Sequence, residues 1–166
     1  MSSLKTTIRA GIGYESKKSL DQRDVVDTVT ASPDILLGSG TGTGKADIAF
    51  CDTRTLAASS SENLDLAGGI TDAFGATVNF VKVKAIEIEN PAASLSNLTI
   101  GASGANAFVG PFADASDGIV LKPGEKVILV SPAGWPVTPA TADILKVANS
   151  AGGSVDYKIK IVGASA

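Results

Sequence analysis

The stretch TVNFVKVKAIEIE, residues 77–89, decides the fold. Val78 and Phe80 alternate with polar neighbours at a period of two. Val81, Val83 and Ala85 then become the apolar set, with Lys82 and Lys84 opposite. Ile86 and Ile88 take over next, with Glu87 and Glu89 opposite. The apolar phase therefore flips twice in thirteen residues. In a regular strand each flip would carry an apolar set to the solvent face. Bulges near 80–81 and 85–86, or a bend between two sheets, reconcile the pattern with burial. Asn90-Pro91 then ends the strand, because proline has no N–H for a ladder.

Working outward, the rest of the chain shows the same period. Residues 155–162 set Val155, Tyr157, Ile159 and Ile161 against Asp156, Lys158 and Lys160, so one face is buried and one wet. Strands are also expected at 25–30, 46–58, 98–100, 119–121, 126–130 and 144–148, with a short apolar segment at 64–66 and another strand at Phe108-Val109. Lys122-Pro123-Gly124-Glu125 has the residues of a type II turn and predicts a hairpin between 119–121 and 126–130. No segment sustains a 3.6-residue period over ten residues. Eight to ten short strands separated by turns predict an all-β sandwich or barrel. A jelly-roll-like β-sandwich fits that number best, and a looser Greek-key sandwich is the alternative.

Composition narrows the function. The chain has 166 residues, which suits one domain with an arm. Residues 1–24 carry five basic and three acidic side chains and are expected to form an extended N-terminal arm. Residues 25–166 are expected to form a single β-sandwich domain. Aromatic residues are 5%, so the core must come from Val, Ile, Leu and Ala. A formal net charge of −3 without a basic block argues against nucleic acid. No apolar run approaches the ~18 residues of a membrane span, and the start lacks the apolar core of a signal peptide. There is no His, which removes the commonest general base, metal ligand and nucleophile partner. The expectation is a protein that is not an enzyme, with no catalytic, cofactor-binding or metal-binding residues and no cofactor. The single Cys51 reads as a small core residue.

Several motifs invite chemistry and do not carry it. GSGTGTGKA, residues 38–46, lacks the phosphate-loop pattern: Ser39 stands where the first glycine belongs, and Ala46 follows Lys45 where Ser or Thr is needed. It reads as a flexible surface loop. Asp114 and Glu125 stand at the first and twelfth positions of a calcium loop, with Asp117 between them, but Ile119 occupies the sixth position, which needs glycine. An Asp-Gly turn is the plainer reading. Glu87 and Glu89 suit cross-strand ion pairs on a solvated face better than a catalytic dyad. Asn97-Leu98-Thr99 matches a glycosylation sequon by chance. Trp135, in SPAGWPVTP, is either a displayed binding residue or a cap on the end of the core.

The stretch DTRTLAASSSENLDLAGGITDAFGATVNFVKVKAIEIENPA, and later GIVLKPGEKVILVSPAGWPVT followed by ADILKVANSAGGSVDYKIKIVGAS, resembles head decoration (cement) proteins and related virion accessory proteins of tailed bacteriophages. The resemblance covers roughly residues 46–166 and rests on strand-and-turn texture and phrases such as ITDAFG. It implies a jelly-roll-like sandwich that forms a homo-oligomer, a trimer or dimer, and staples major capsid protein subunits on the capsid exterior after synthesis in the host cytoplasm. It also implies an N-terminal arm that contacts the capsid lattice, and no membrane or nucleic-acid partner. A tail or fibre-associated module that binds a host-surface glycan is the alternative.

Overall fold

The alternating segments become strands, Phe108-Val109 excepted, in a computed structural model, which describes residues 3–166. The strands are β1 (Thr6–Ile8), β2 (Tyr14–Leu20), β3 (Arg23–Val29), β4 (Ile35–Ser39), β5 (Lys45–Ala46), β6 (Ile48–Leu56), β7 (Ser61–Asp65), β8 (Ala67–Thr71), β9 (Thr77–Asn79), β10 (Lys82–Glu89), β11 (Leu98–Gly101), β12 (Gly118–Leu121), β13 (Lys126–Pro136), β14 (Ile144–Asn149) and β15 (Val155–Ala164). No helix occurs among the described residues. The protein is all-β, with several antiparallel sheets. The sequence pattern predicts eight to ten strands, and the surplus lies mainly in short or fully exposed elements.

Two four-stranded sheets hold the main core, in the orders β13-β10-β15-β6 and β12-β11-β14-β7. Between them pack Phe50, Leu64, Phe80, Ile86, Ile88, Leu98, Leu145, Val147, Tyr157, Ile159 and Ile161, among others. The clean alternation of β15 is realised, with Val155, Tyr157, Ile159 and Ile161 all buried and their polar neighbours exposed. A smaller layer, β1-β4-β5, covers part of the outer face of the first sheet. There Ile8, Leu37, Ala46 and Ala85 form a second apolar cluster.

The double phase flip has two distinct causes. At Phe80–Val81 the chain changes sheets: the Phe80 N–H donates to Leu66 O (2.9 Å) and the Val81 N–H to Ala164 O (2.8 Å). At Lys84 the register breaks. Val83 pairs with Gly163 and Ala85 with Val162, so Lys84 is an extra residue opposite β15. Opposite β13 the partners are Trp135 and Val130, and residues 131–134 bulge outward. This second break falls one residue before the predicted 85–86. It sends Ile86 and Ile88 to the main core and Ala85 to the outer cluster.

The bulge overturns one expectation. Lys84 is not on a wet face but fully buried. Its ammonium donates to Gly42 O (2.7 Å) and Pro132 O (3.2 Å). Burial, and then neighbouring Lys82, lower its pKa from the usual lysine value. These bonds tie the glycine-rich 40–44 loop to the β13 bulge. Both carbonyls also keep backbone donors, Lys45 N–H and Gly44 N–H. Replacing Lys84 with Met is therefore expected to change global stability by less than about 1 kcal/mol, because removing a desolvated charge offsets the lost bonds. Hydrogen exchange of the 40–46 amides should rise markedly all the same. A global loss above about 3 kcal/mol would show that the ammonium is a net stabiliser.

Two further expectations need correction. The 122–125 turn forms as predicted, with Gly124 at φ 84° and Glu125 N–H donating to Lys122 O (3.0 Å). It does not close a hairpin, because β12 and β13 lie in opposite sheets. Asn90 redirects the chain: it accepts from Gly124 N–H and donates to Glu125 O, both at 2.9 Å, so β13 pairs with β10. Cys51 is exposed rather than in the core. Phe50 takes the core side of β6, which leaves Cys51 on the outer face of an edge strand.

The open edge between the sheets, where β6 and β7 meet, is closed by a polar network. Tyr157, fully buried on β15, donates to Glu62 Oε1 on β7 (2.7 Å). Arg54 Nε donates to Glu62 Oε2 (2.7 Å), and Arg54 Nη1 reaches Asp52 (3.0 Å). The Glu62 bond raises the Arg54 pKa, and burial, with Glu62, raises that of Tyr157.

Candidate protein-binding surfaces

Three surfaces carry side chains that the fold itself does not use. The first is the outer face of the first large sheet. Glu87 and Glu89 on β10 stand directly opposite Lys160 and Lys158 on β15. The ion pairs measure 2.6 Å and 2.9 Å. The Glu87 bond raises the Lys160 pKa, and the Lys158 bond lowers that of Glu89. Such a half-exposed ladder holds side chains in place and adds little stability. Beside it, an open groove of about 720 Å³ runs between residues 5–9 and the sheet, floored by Ala85, Ile128 and Val162.

The second surface is a ribbon. β2 and β3 form an antiparallel hairpin, from Tyr14↔Val29 to Leu20↔Arg23. Every residue from Arg9 to Asp34 is exposed. The expected arm boundary at 24/25 falls inside β3, and β1 packs back on the body through Ile8. The ribbon is braced by Arg9–Asp34 at its base (3.0 Å), Tyr14 Oη donating to Asp27 (3.1 Å), and Lys17–Asp24 (2.5 Å). Its pairing places Tyr14, Leu20, Val25 and Val29 on one face, each 41–50% exposed. Sequence reasoning found only the 25–30 segment, because the turn Asp21-Gln22 carries none of the glycine or asparagine that marks a tight hairpin.

The third surface is one end of the sandwich. The β8–β9 hairpin, the 102–117 segment and the 137–143 turn meet there, tied by Leu66 N–H to Asp143 O (2.8 Å), Val137 N–H to Val81 O (2.9 Å) and Phe108 N–H to Ile144 O (2.9 Å). At the tip of β8–β9, Phe74 is 95% exposed. Its backbone is fixed: Asp72 Oδ1 accepts from Phe74 N–H and Ala76 N–H, both 2.9 Å, and Gly75 turns the chain at φ 81°. Val81 and Val109, also part-exposed, lie at this end.

Of the residues singled out from sequence, Glu87 and Glu89 lie on the first surface, and Val109 and Asp114 lie in the segment that helps build the third. Trp135 packs against the main core, with its Cβ where a side chain on Gly110 would sit. Phe108-Val109 makes only an isolated bridge through Ala107 to Ile144. Asp114 binds Ser116 N–H and Oγ (3.0 Å each), which lowers its pKa, and Glu125 accepts from Lys122 N–H (2.7 Å). Asn97 is exposed. Among the described residues no group of three or more His, Cys, Asp or Glu side chains is placed to hold a metal ion. No described helix is long and apolar enough to cross a membrane.

Comparison with known proteins finds no matching family, no matching curated protein and no matching solved structure.

Proposed function

We propose that the chain is a virion structural protein, a jelly roll that decorates a phage capsid from outside by binding major capsid protein subunits. The strand order supports the jelly-roll part. The pairs β6/β7, β10/β11, β12/β13 and β14/β15 each cross between the sheets, and the orders β6-β15-β10-β13 and β7-β14-β11-β12 are those of two interleaved Greek keys. The resemblance of residues 46–166 to decoration proteins supports the virion part.

The observation that carries the adhesive role is Phe74. An aromatic side chain held almost wholly in water on a hydrogen-bonded tip has already lost the loop entropy that binding would otherwise cost. Its rigid exposure suits insertion into an apolar pocket on a partner. Contacts of roughly 1,000–2,000 Å² repeated over a lattice add avidity. Phe74→Ser is expected to weaken binding to undecorated capsids by about 30-fold, the effect of losing a hot spot of about 2 kcal/mol. Its melting temperature should match that of the wild type, since the ring packs on nothing. Unchanged capsid affinity would remove Phe74 from the contact. Retention on a glycan array with no capsid binding would favour the tail-fibre alternative.

A further inference from the structure

We propose that the protein self-associates by laying the β2–β3 ribbon of one copy into the groove beside β1 of another.

The ribbon is not self-sufficient. A two-stranded hairpin alone is marginally stable in water. Here neither turn residue, Asp21 or Gln22, has the positive φ that favours a two-residue connection. One face carries Tyr14, Leu20, Val25 and Val29, and nothing in its own chain covers them. Residues 9–20 reach about 36 Å at ~3.3 Å per residue, enough to cross a second body of this size.

The groove has the complementary features. β1 ends the β1-β4-β5 sheet, so one of its edges is unpaired, and five consecutive residues around it line the groove. Thr6 Oγ1 there is buried with no hydrogen-bond partner. The floor is apolar, and the charged rim holds four cations, Lys5, Arg9, Lys126 and Lys160, against two carboxylates, Glu87 and Glu89. The hairpin has the opposite balance, with Glu15, Asp21, Asp24 and Asp27 against three cations. A free ribbon edge pairs with β1, as in β-strand addition. The apolar row turns to the floor, and the charges match. Because the two patches differ, the contact is heterologous; it closes as a ring or as a reciprocal exchange.

The occupant is a second copy rather than a capsid subunit, so the contact forms in the purified protein without capsids. Native mass spectrometry and sedimentation of the full chain should show a discrete oligomer. Val25→Glu with Val29→Glu should yield monomers with an unchanged circular dichroism spectrum, since both side chains are exposed within the single chain. In a Cys51→Ser background, mixing Thr7→Cys chains with Val26→Cys chains should give chiefly the mixed disulfide on oxidation. Monomers up to millimolar concentration would overturn the inference, as would Val26–Val26 position cross-links outnumbering mixed ones. Capsid binding is measured separately, so a failed decoration reading would leave this inference standing, and the reverse.

Discussion

Replacing Gly163 with alanine is expected to destabilise the protein by about 3 kcal/mol, near the upper end for overpacking a core. Gly163 sits on the core face of β15, opposite Val83 and beside the register break at Lys84. An added Cβ would lie 2.2 Å from Lys82 O and 2.5 Å from Phe80 Cδ1. Neither neighbour can retreat. The Lys82 carbonyl is held in a paired strand, and Phe80 is 1% exposed at the point where the chain changes sheets. In a chain of this size the loss corresponds to a fall in melting temperature of about 10 °C. Trimming the ring in the double variant Gly163→Ala, Phe80→Leu should restore part of it, because the two sites share one space. A loss below about 1 kcal/mol for the single variant would mean that the Phe80 corner is seated differently.

The second large effect is expected at Glu62. Glu62→Ala should cost about 2–3 kcal/mol, chiefly because the fully buried Tyr157 hydroxyl loses its acceptor. The Arg54 part of the loss is smaller, since that side chain is 31% exposed and water screens the pair. Tyr157→Phe, which removes the donor and leaves Glu62 bound to Arg54, should cost only about 1 kcal/mol. A double-mutant cycle should give a coupling of about 1 kcal/mol or more. The network also has a pH signature. The folded state holds the Tyr157 proton more tightly than the unfolded chain, so its contribution is complete at neutral pH. It is lost as pH rises above about 10, where the unfolded tyrosine ionises. Urea melts between pH 8 and 11 should show this decline in the wild type and a weaker one in Tyr157→Phe.

Period-two alternation made the central strands legible. β15 reads directly, because from Val155 to Ile161 one face meets the core and the other meets water. The phase flips in 77–89 revealed that the chain must bend or bulge, and Phe80 and Lys84 mark where. What alternation cannot distinguish is a lysine in solvent from one whose amine finds buried carbonyls, so the pattern leaves Lys84 in water where the structure buries it. Nor does it say which sheet a turn delivers its strand to. The residues of 122–125 specify the turn, whereas backbone pairing with the end of β10, over thirty positions earlier, delivers the strand to its sheet. Cys51 was misread for a related reason: only part of the outer face is covered, and β6 lies at its edge.

The candidate surfaces were less legible than the core. Phe74 lies in the ITDAFG phrase, but only its exposure on a braced tip marks it as a candidate for binding. The ribbon gave one signal, the 25–30 segment, because its β2 half is polar at most positions and its turn is unmarked. Residues that bind another molecule need not satisfy the burial rules that make a core readable.

The most direct test of the decoration role is a binding isotherm of the purified protein on expanded, undecorated capsids built from the major capsid protein of the same genome. Saturation at a fixed ratio of copies to capsid subunits, with a gain in capsid resistance to heat or pressure, is the predicted result. Binding that never saturates, or no binding at all, would contradict it.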